Sequence, residues 1–375
     1  MDAGVISRLL KYSAYKRGYY QALEHMQQRK MLLGVFIVNL IVLIGMAVFY
    51  ELFIALMLAQ PRVAKALPKP LLWHIREVYH LHDISIIQFH PQFAYYDPVL
   101  TYTLKPGEFV FSNREFATAY YVNTLGVRDD EESLIAPQIV VLGDSHAMGW
   151  GVEQHETFAQ ILEQATGYRV LNAAISSYGT VREMRMLDRI DTSGLKYLII
   201  QYCENDYNEN LQFYQKGSLE IMERNSYTAL AERGITSNRY YPGKYIMYQS
   251  RTLMSLVQNN IFQRLSLEKA VTKEARLENE AEIFLHTLEN ASRTNLQEVQ
   301  IIGLALNTFL SSDKEFITAL QAKKNHPRYP RYIQDLIAVE LSTMLDADRY
   351  GFILDNHMLP KGHALVARQL LPYIR

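Results

Sequence analysis

The longest apolar stretch of the chain runs from Met31 to Tyr50 and contains no charged residue. Glu51 interrupts it, and apolar residues then continue to Ala59. At the rise of an α-helix these twenty residues cover roughly 30 Å, the thickness of the hydrocarbon layer of a bilayer. A buried core helix is the alternative, but core helices rarely run this far without a charge. The pattern therefore predicts a membrane-spanning anchor at residues 31–58.

A cleaved signal peptide is a second interpretation of this stretch, because Ala64, Lys65 and Ala66 have the small-x-small pattern of a cleavage site. The apolar core of a signal peptide is only roughly 7–15 residues long, however, and the stretch here is longer. We therefore expect an anchor that is not cleaved.

Basic residues on the two sides of the span predict its orientation. Six precede it and three follow it within the same distance: Arg8, Lys11, Lys16, Arg17, Arg29 and Lys30, then Arg62, Lys65 and Lys69. Because basic residues stay preferentially on the cytoplasmic side, we expect segment 1–30 in the cytoplasm and the C-terminal domain in a periplasmic or extracellular location. Residues 5–28 fit an amphipathic surface helix and an unstructured basic tail about equally well.

Two segments after the span have distinct patterns. Prolines at Pro61, Pro68 and Pro70 predict a stiff linker over residues 59–85, because proline breaks helices and favours extended backbone. Residues 86–135 contain short aromatic and β-branched runs, which predict strands or extended loops.

After residue 135, short continuous apolar runs alternate with stretches of helical spacing. The apolar runs predict strands buried on both faces, at Ile139–Leu142, Arg169–Ile175, Tyr197–Tyr202, Val299–Leu306 and near Tyr350–Leu354. The helical stretches lie at His155–Thr166, Val181–Ile190, about Lys273–Ala291, and from Pro360 onward. This alternation predicts a three-layer α/β/α fold with a central parallel sheet in a domain at 86–375. Residues 207–270 are irregular and tyrosine-rich, which indicates an insertion.

Composition excludes some classes of function. The formal net charge is -1, so the chain has no basic excess with which to bind nucleic acid. The single cysteine, Cys203, can form neither an internal disulfide nor a thiolate zinc site. No metal or other cofactor is predicted.

Four fragments carry residues suited to chemistry, and each follows a predicted strand. They are Gly143-Asp144-Ser145, the run from Asn172 to Gly179, Glu204-Asn205-Asp206, and Asp355-Asn356-His357. Since the carboxyl ends of parallel strands meet at one edge of a sheet, we expect the fragments to converge. Each fragment alone also has an ordinary explanation: a loop glycine, a turn asparagine, or a surface histidine at His357 or His363.

The residue types in these fragments fit acyl transfer. Residues two apart in an extended segment point to the same side, so Asp355 can orient His357. His357 can then accept the proton of Ser145. A glycine N–H at Gly179 and the side-chain amide of Asn205 are suited to a developing oxyanion. The G-x-S-x-G motif is missing at this serine, which disfavours an ordinary α/β-hydrolase.

Together the four fragments resemble the SGNH hydrolase family, also called GDSL-like, over about residues 138–206 and 299–375. The stretch Asn123–Arg128 resembles a lead-in found in a subset of such proteins. The resemblance implies Ser145 as nucleophile, His357 as general base and then acid, and Asp355 as the residue that orients it. It also implies an oxyanion hole formed by the N–H of Ser145, Gly179 and Asn205.

The sequence departs from the family pattern at two places. Cys203 stands where the family usually has glycine, two residues before the asparagine of the third block. The spacing of Asp355 and His357 is Asp-x-His, whereas the usual spacing is Asp-x-x-His. The shorter spacing resembles alginate O-acetyltransferase-like members. His146, next to the nucleophile, is assigned no role.

The resemblance implies a membrane-anchored serine esterase that acts on acyl esters through an acyl-serine intermediate. The expected substrates are O-acyl groups of an envelope glycan, or lipids reached from the bilayer. The tyrosines of residues 207–270 favour the glycan, since aromatic faces suit sugar rings; the alternative is that they pack the insertion onto the core. An O-acetyltransferase would use the same triad, with a membrane acyltransferase as a candidate partner. A non-catalytic membrane assembly partner is the alternative of another class, and it would need none of the four fragments.

Overall fold

The computed structural model describes residues 3–237, 239–263, 273–307, 314–341 and 344–375. Helices lie at α1 Ala3–Ala59, α2 Pro61–Ala64, α3 Lys69–His82, α4 Ser145–Met148, α5 Phe158–Thr166, α6 Thr180–Leu187, α7 Asp206–Lys216, α8 Arg224–Ser237, α9 Lys244–Gln263, α10 Lys273–Asn290, α11 Lys314–Lys323, α12 Arg331–Gln334, α13 Ala347–Tyr350 and α14 Pro360–Leu370. Strands lie at β1 Ala94–Asp97, β2 Thr101–Leu104, β3 Gly107–Ser112, β4 Ala117–Val122, β5 Ile139–Leu142, β6 Val170–Asn172, β7 Tyr197–Tyr202, β8 Gln300–Ala305 and β9 Ile337–Val339.

Internal packing divides the chain into two units. One contains Met1–Leu56 with Tyr241–Leu256, and the other contains Met57–Tyr240 with Val257–Arg375. The first unit is dominated by α1, in which Leu23–Ala59 is long and apolar enough to cross a membrane. None of the residues in the most apolar part of this stretch is buried. Residues 5–28 belong to the same continuous helix as the span. The segment is therefore helical, but it does not form the separate short surface helix that was one of the two expectations.

Glu51 follows the most apolar part of α1 and contacts the start of α9. Its carboxylate accepts hydrogen bonds from the N–H groups of Tyr245 and Ile246, at 3.0 and 3.1 Å. N–H groups in the first turn of a helix have no partner within the helix, and an acidic side chain satisfies them. The charge that interrupts the apolar stretch therefore caps another helix.

The second unit contains a five-stranded sheet of order β6-β5-β7-β8-β9, in which all four strand pairs are parallel. Successive side chains of a strand point to opposite faces, and both faces of this sheet are covered. Val140 and Leu142 pack with apolar residues of α6, α10 and α11. Ile139 and Val141 pack with those of α5 and α14. The predicted three-layer fold with a central parallel sheet is confirmed.

Of two further strand predictions, one agrees with the structure and one does not. Residues 86–135 do form strands, arranged as the antiparallel hairpins β1–β2 and β3–β4. The predicted strand near Tyr350–Leu354 is wrong: α13 ends at Tyr350, and Gly351 makes only an isolated bridge to Met358. The fifth strand of the sheet is β9, whose three residues are too few to show a periodicity in the sequence.

Two segments predicted as non-helical are helical. Residues 59–85 contain α2 and α3, which begin with proline in their first turn. Proline is tolerated there because first-turn N–H groups have no helical partner. Residues 207–270 contain α7, α8 and α9 instead of irregular structure, with 238 and 264–270 outside the described residues. Weakly periodic helices of this kind depend on tertiary packing, which a local pattern does not reveal.

Candidate active site

Ser145 is the first residue of α4, directly after strand β5 and a two-residue turn. The side chain of Asp144 accepts a hydrogen bond from the N–H of His146 at 2.9 Å and caps the helix. The N–H of Ser145 lies in the first turn, where no carbonyl of the helix can accept it. The turn therefore presents both the hydroxyl and the N–H of Ser145 at the carboxyl edge of the sheet.

The turn before the nucleophile requires a glycine. Gly143 has φ +155°, and a Cβ at this position would lie 2.7 Å from both Ala147 Cβ and Gln201 Oε1. Gln201 Oε1 accepts hydrogen bonds from the N–H groups of Asp144 and Ala147, at 3.1 and 3.3 Å. The side-chain amide of strand β7 thus holds the nucleophile turn, and only a residue without a side chain leaves room for it.

The structure brings Ser145, His357 and Asp355 together, although 212 positions separate the first two. His357 Nε2 lies 2.7 Å from Ser145 Oγ, and His357 Nδ1 is hydrogen-bonded to Asp355 Oδ1. A carboxylate beside Nδ1 assigns the proton of neutral His357 to Nδ1, which leaves Nε2 as an acceptor for the serine hydroxyl. The Asp-x-His spacing is therefore compatible with a hydrogen-bonded triad.

The second carboxylate oxygen of Asp355 accepts hydrogen bonds from the Tyr79 hydroxyl at 3.0 Å and from Trp150 Nε1 at 3.1 Å. Burial raises the pKa of Asp355, but the positive charge of His357 in its protonated form and the hydrogen bond from His357 outweigh burial and lower that pKa to about 2. Burial, and then the charge of Asp355, raise the pKa of Tyr79 well above its usual value. Asp355 is therefore a fully hydrogen-bonded anion, and Tyr79 keeps its proton.

An open cavity of about 240 Å³ lies over this triad. It is lined by Ile84, Ile86, Gln88, Asp144, Ser145, His146, Trp150, Ser176, Ser177, Cys203, Glu204, Asn205, Asn356 and His357. Asn205, at the end of β7, is thus brought to the cavity with Ser145 and His357, as expected from the strand ends. None of the tyrosines of residues 207–263 that the structure describes lines it.

Gly179 is not brought to the cavity. It is the N-cap residue of α6, and a Cβ there would lie 3.0 Å from Glu209 Oε1 on α7. The absence of a side chain therefore allows α6 and α7 to approach closely, which explains this glycine without an oxyanion role.

Ser177, two residues before Gly179, is brought to the cavity instead. It lies in the turn between β6 and α6, lines the cavity, and has a left-handed φ of +59°. Gln88 holds this turn: its Nε2 donates to Ser177 Oγ at 2.9 Å, and its Oε1 accepts from Ser176 Oγ at 3.2 Å. Because serine rarely adopts positive φ, no local pattern in the sequence marks this residue.

Two further histidines near the triad are buried and neutral. The ring of His146 lies 4.9 Å from that of His357, and burial, followed by the charge of His357, lowers its pKa well below the usual value. His363 Nδ1 accepts a hydrogen bond from the N–H of Phe158 at 3.3 Å, and burial lowers the pKa of His363 to about 3. His363 therefore serves packing between α14 and α5, and neither His357 nor His363 is a surface histidine.

In the described part of the chain, no group of three or more His, Cys, Asp or Glu side chains is arranged to hold a metal ion. Cys203 is buried at the cavity wall, and burial raises the pKa of its thiol well above the usual value. It is therefore a neutral thiol and not a nucleophile.

No protein-family model and no curated protein sequence matches this chain. Among solved structures, it is similar to a member of the lipolytic G-D-S-L family from Veillonella parvula, with 10% identity over 63% of this chain and 97% of the other, at a TM-score of 0.32. It is also similar to a carbohydrate esterase of family 2 from Corynascus thermopiles, with 13% identity, coverage of 64% and 65%, and a TM-score of 0.35. A carbohydrate acetylesterase family member from Sinorhizobium meliloti shares 13% identity, with coverage of 64% and 97% and a TM-score of 0.29.

Proposed function

We propose that this chain is a serine esterase that cleaves acyl esters through an acyl-serine intermediate. One observation carries the proposal: His357 Nε2 lies 2.7 Å from Ser145 Oγ while its Nδ1 is hydrogen-bonded to the buried anion of Asp355. A serine hydroxyl, a base within hydrogen-bond reach and a third group that orients the base are the parts of an activated nucleophile.

In the first half of the reaction, Ser145 Oγ attacks the carbonyl carbon of the ester and its proton moves to His357 Nε2. The C–O π electrons move to the carbonyl oxygen, and Asp355 stabilises the imidazolium that forms. When the tetrahedral intermediate collapses, the bond to the alkoxy oxygen breaks. The Nε2 proton passes to that oxygen, so the alcohol leaves neutral and the acyl group stays on Ser145.

In the second half, water donates a proton to His357 Nε2 and attacks the acyl carbon. Collapse of the second intermediate releases the carboxylic acid and returns the proton to Ser145 Oγ. Three donors are available for the oxyanion of both intermediates: the N–H groups of Ser145 and Ser177, and the side-chain amide of Asn205. Ser177 replaces Gly179 in this proposal because it lines the cavity.

The substrate we propose is a short O-acyl group, such as acetyl, on an envelope glycan. The cavity of about 240 Å³ is small. Its walls combine apolar with polar residues: Ile84, Ile86 and Trp150, and Gln88, Ser176, Glu204, Asn205 and Asn356. A long acyl chain would need a larger apolar tunnel, because its binding depends on burying many methylene groups. The small volume therefore supports a short acyl group, and the polar lining residues support a carrier rich in hydroxyl groups, such as a glycan. The tyrosines of residues 207–263 do not line the cavity and do not contribute to this proposal.

Labelling with a fluorophosphonate tests the chemistry without knowledge of the substrate. We expect the purified full-length chain to be labelled at Ser145, whereas a wild-type chain that remains unlabelled would reject a serine esterase.

Assays on acetylated sugars and on esters of increasing chain length then test the substrate class. Preference for chains longer than about eight carbons would reject the glycan. Transfer of acetyl to an added oligosaccharide would instead identify an O-acetyltransferase with the same triad.

The proposed location is the outer side of a membrane, with α1 as a single-pass anchor and its N-terminus in the cytoplasm. The length and apolar composition of Leu23–Ala59 and the excess of basic residues before the span support this topology. Reporter fusions before Asp2 and after Arg375 test it. A C-terminal reporter that is active only in the cytosol would reverse the proposed orientation.

A further inference from the structure

The segment that carries Asp355 and His357 is held by a carboxylate far away in the sequence. Glu115 accepts hydrogen bonds from three successive backbone N–H groups, those of Ile353, Leu354 and Asp355, at 2.7, 2.7 and 2.9 Å. Charge-assisted hydrogen bonds of this kind are about twice as strong as neutral ones. One side chain thus fixes the backbone of a segment that belongs to neither a helix nor a strand.

The position of Asp355 depends directly on this contact. The N–H of Asp355 donates to Glu115, and the side chain of Asp355 is hydrogen-bonded to His357 Nδ1. Asp355 therefore links Glu115 directly to the base. The carbonyl of Ile353 accepts a further hydrogen bond, from Arg76 Nε at 2.7 Å. A shift of Glu115 would therefore move the carboxylate that orients the base.

Glu115 itself is firmly placed, because it lies in the tip of the β3–β4 hairpin, residues 113–116. Neighbouring tip residues bind the chain after α3: Arg114 pairs with Asp83 at 2.6 Å, and Asn113 Oδ1 accepts from the Ser85 N–H at 2.6 Å. Phe116, at the end of the tip, packs against Phe352 and Trp150, with ring centroids 5.6 and 6.2 Å apart. The hairpin tip is thus fixed on both sides of Glu115.

We propose that Glu115 is a positioning residue for the Asp355–His357 pair and that the β3–β4 hairpin tip serves to carry it. The proposal rests on the proposed esterase function, and it assigns a role to a hairpin that lies outside the sheet. Glutamine in place of Glu115 would turn one of the two accepting groups into a donor that faces backbone N–H groups. The segment would then lose its fixed position while every triad residue is retained.

The test compares Glu115→Gln with Glu108→Gln, a matched change at an exposed glutamate of the same hairpin. For the full-length protein, we expect the rate constant of fluorophosphonate labelling at Ser145 to fall about 10-fold to 100-fold in Glu115→Gln, because small misplacements of catalytic groups have effects of this size. The rate in Glu108→Gln should equal that of the wild type. Equal rates in folded Glu115→Gln and wild type would overturn the proposal.

A spectroscopic readout separates positioning from a purely structural role. We expect the low-field proton resonance of His357 Nδ1–H, hydrogen-bonded to Asp355, to shift or broaden in Glu115→Gln and to stay unchanged in Glu108→Gln. An unchanged resonance would reject positioning, even if the variant unfolds at a lower temperature. This readout does not require labelling, so a wild type that is not labelled rejects the esterase without deciding the role of Glu115.

Glu115→Asp keeps the proposal testable if Glu115→Gln does not fold. Aspartate retains the carboxylate but is one methylene shorter, so we expect it to keep part of the hydrogen bonding. The labelling rate should lie between those of the wild type and of an Asp355→Asn variant. A rate equal to that of the wild type, with an unchanged His357 resonance, would count against positioning by Glu115.

Discussion

Ser145 and His357 reach the same cavity by different means. Ser145 follows a central strand of the parallel sheet, and its turn is organised by its neighbours Gly143 and Asp144 and by Gln201 on the adjacent strand. His357 lies in a segment without regular structure, between α13 and α14. Its position depends on contacts from residues more than 200 positions away, among them Glu115 and Trp150.

The difference shows what a sheet does and does not provide. A parallel sheet places the residue after a strand reliably, because the strand is buried on both faces and its register is fixed. A residue in an irregular segment needs side chains from elsewhere to define its position. Changes in the turn that holds Ser145, at Gly143 for example, should therefore disturb the fold and the site together. Changes to the side chains that position the irregular segment of Asp355 and His357 should alter activity more than stability.

The largest effect is expected from the nucleophile itself. Ser145→Ala removes the attacking oxygen, and we expect ester turnover to fall by on the order of 10⁴-fold or more, with loss of fluorophosphonate labelling. The side chain is small, so the thermal unfolding midpoint should stay close to that of the wild type. Unchanged turnover would mean that another group is the nucleophile.

Asp355→Asn should be next in size. Asparagine can donate to His357 Nδ1 and favour the wrong tautomer, so we expect turnover to fall by about 10²-fold to 10⁴-fold. Turnover measured from pH 5 to pH 9 checks this, because the deficit should persist at alkaline pH. A variant with near wild-type turnover would show that Asp355 is not the residue that orients the base.

Gly143→Ala tests the turn that holds the nucleophile. The new Cβ would lie 2.7 Å from Ala147 and Gln201, at a φ of +155°. We expect the free energy of unfolding to fall by ~2–4 kcal/mol, with slower labelling of Ser145. Gly167→Ala is the control, since its φ is also positive but nothing lies within 4 Å of the added Cβ. Equal losses in the two variants would show that the turn tolerates a side chain.

Acid stability tests the pairing of the base with its carboxylate. Because folding lowers the pKa of Asp355 to about 2, its pairing contributes stability above the unfolded pKa of about 4, and that contribution is lost as the pH falls through 2. The shift corresponds to about 2 kcal/mol. We expect the stability difference between wild type and Asp355→Asn to shrink by this amount from pH 4 to pH 2, as measured by urea unfolding. A difference that does not depend on pH would contradict the lowered pKa.

The smallest effect is expected from Tyr79→Phe, which removes one donor to Asp355 and keeps the ring. Loss of one hydrogen bond costs about 0.5–1.5 kcal/mol, so turnover should fall roughly 3-fold to 10-fold. Trp150 still donates to the same oxygen, which limits the loss. A decrease as large as that of Asp355→Asn would mean that Tyr79 does more than orient the carboxylate.

The sequence alone determined the features that local patterns encode. Buried strand runs predict the parallel sheet, and strand ends direct the blocks of Ser145 and Asn205 to one edge because parallel strands share a direction. The long apolar run predicts the exposed part of α1 by the same local reasoning. The pairing of Asp355 with His357 was also predicted, but for an extended segment, whereas the structure forms it in a segment without regular structure.

The remaining features arise only when distant segments meet in the folded protein. It places Ser177 in the cavity instead of Gly179, forms the fifth strand from three residues of β9, and brings Glu115 to the backbone of Asp355. None of these has a local signature: a positive φ at serine, an edge strand of three residues and a contact across 240 positions each depend on the folded surroundings. Local patterns encode what a segment does by itself, whereas the base of this site is positioned by segments that meet only after folding.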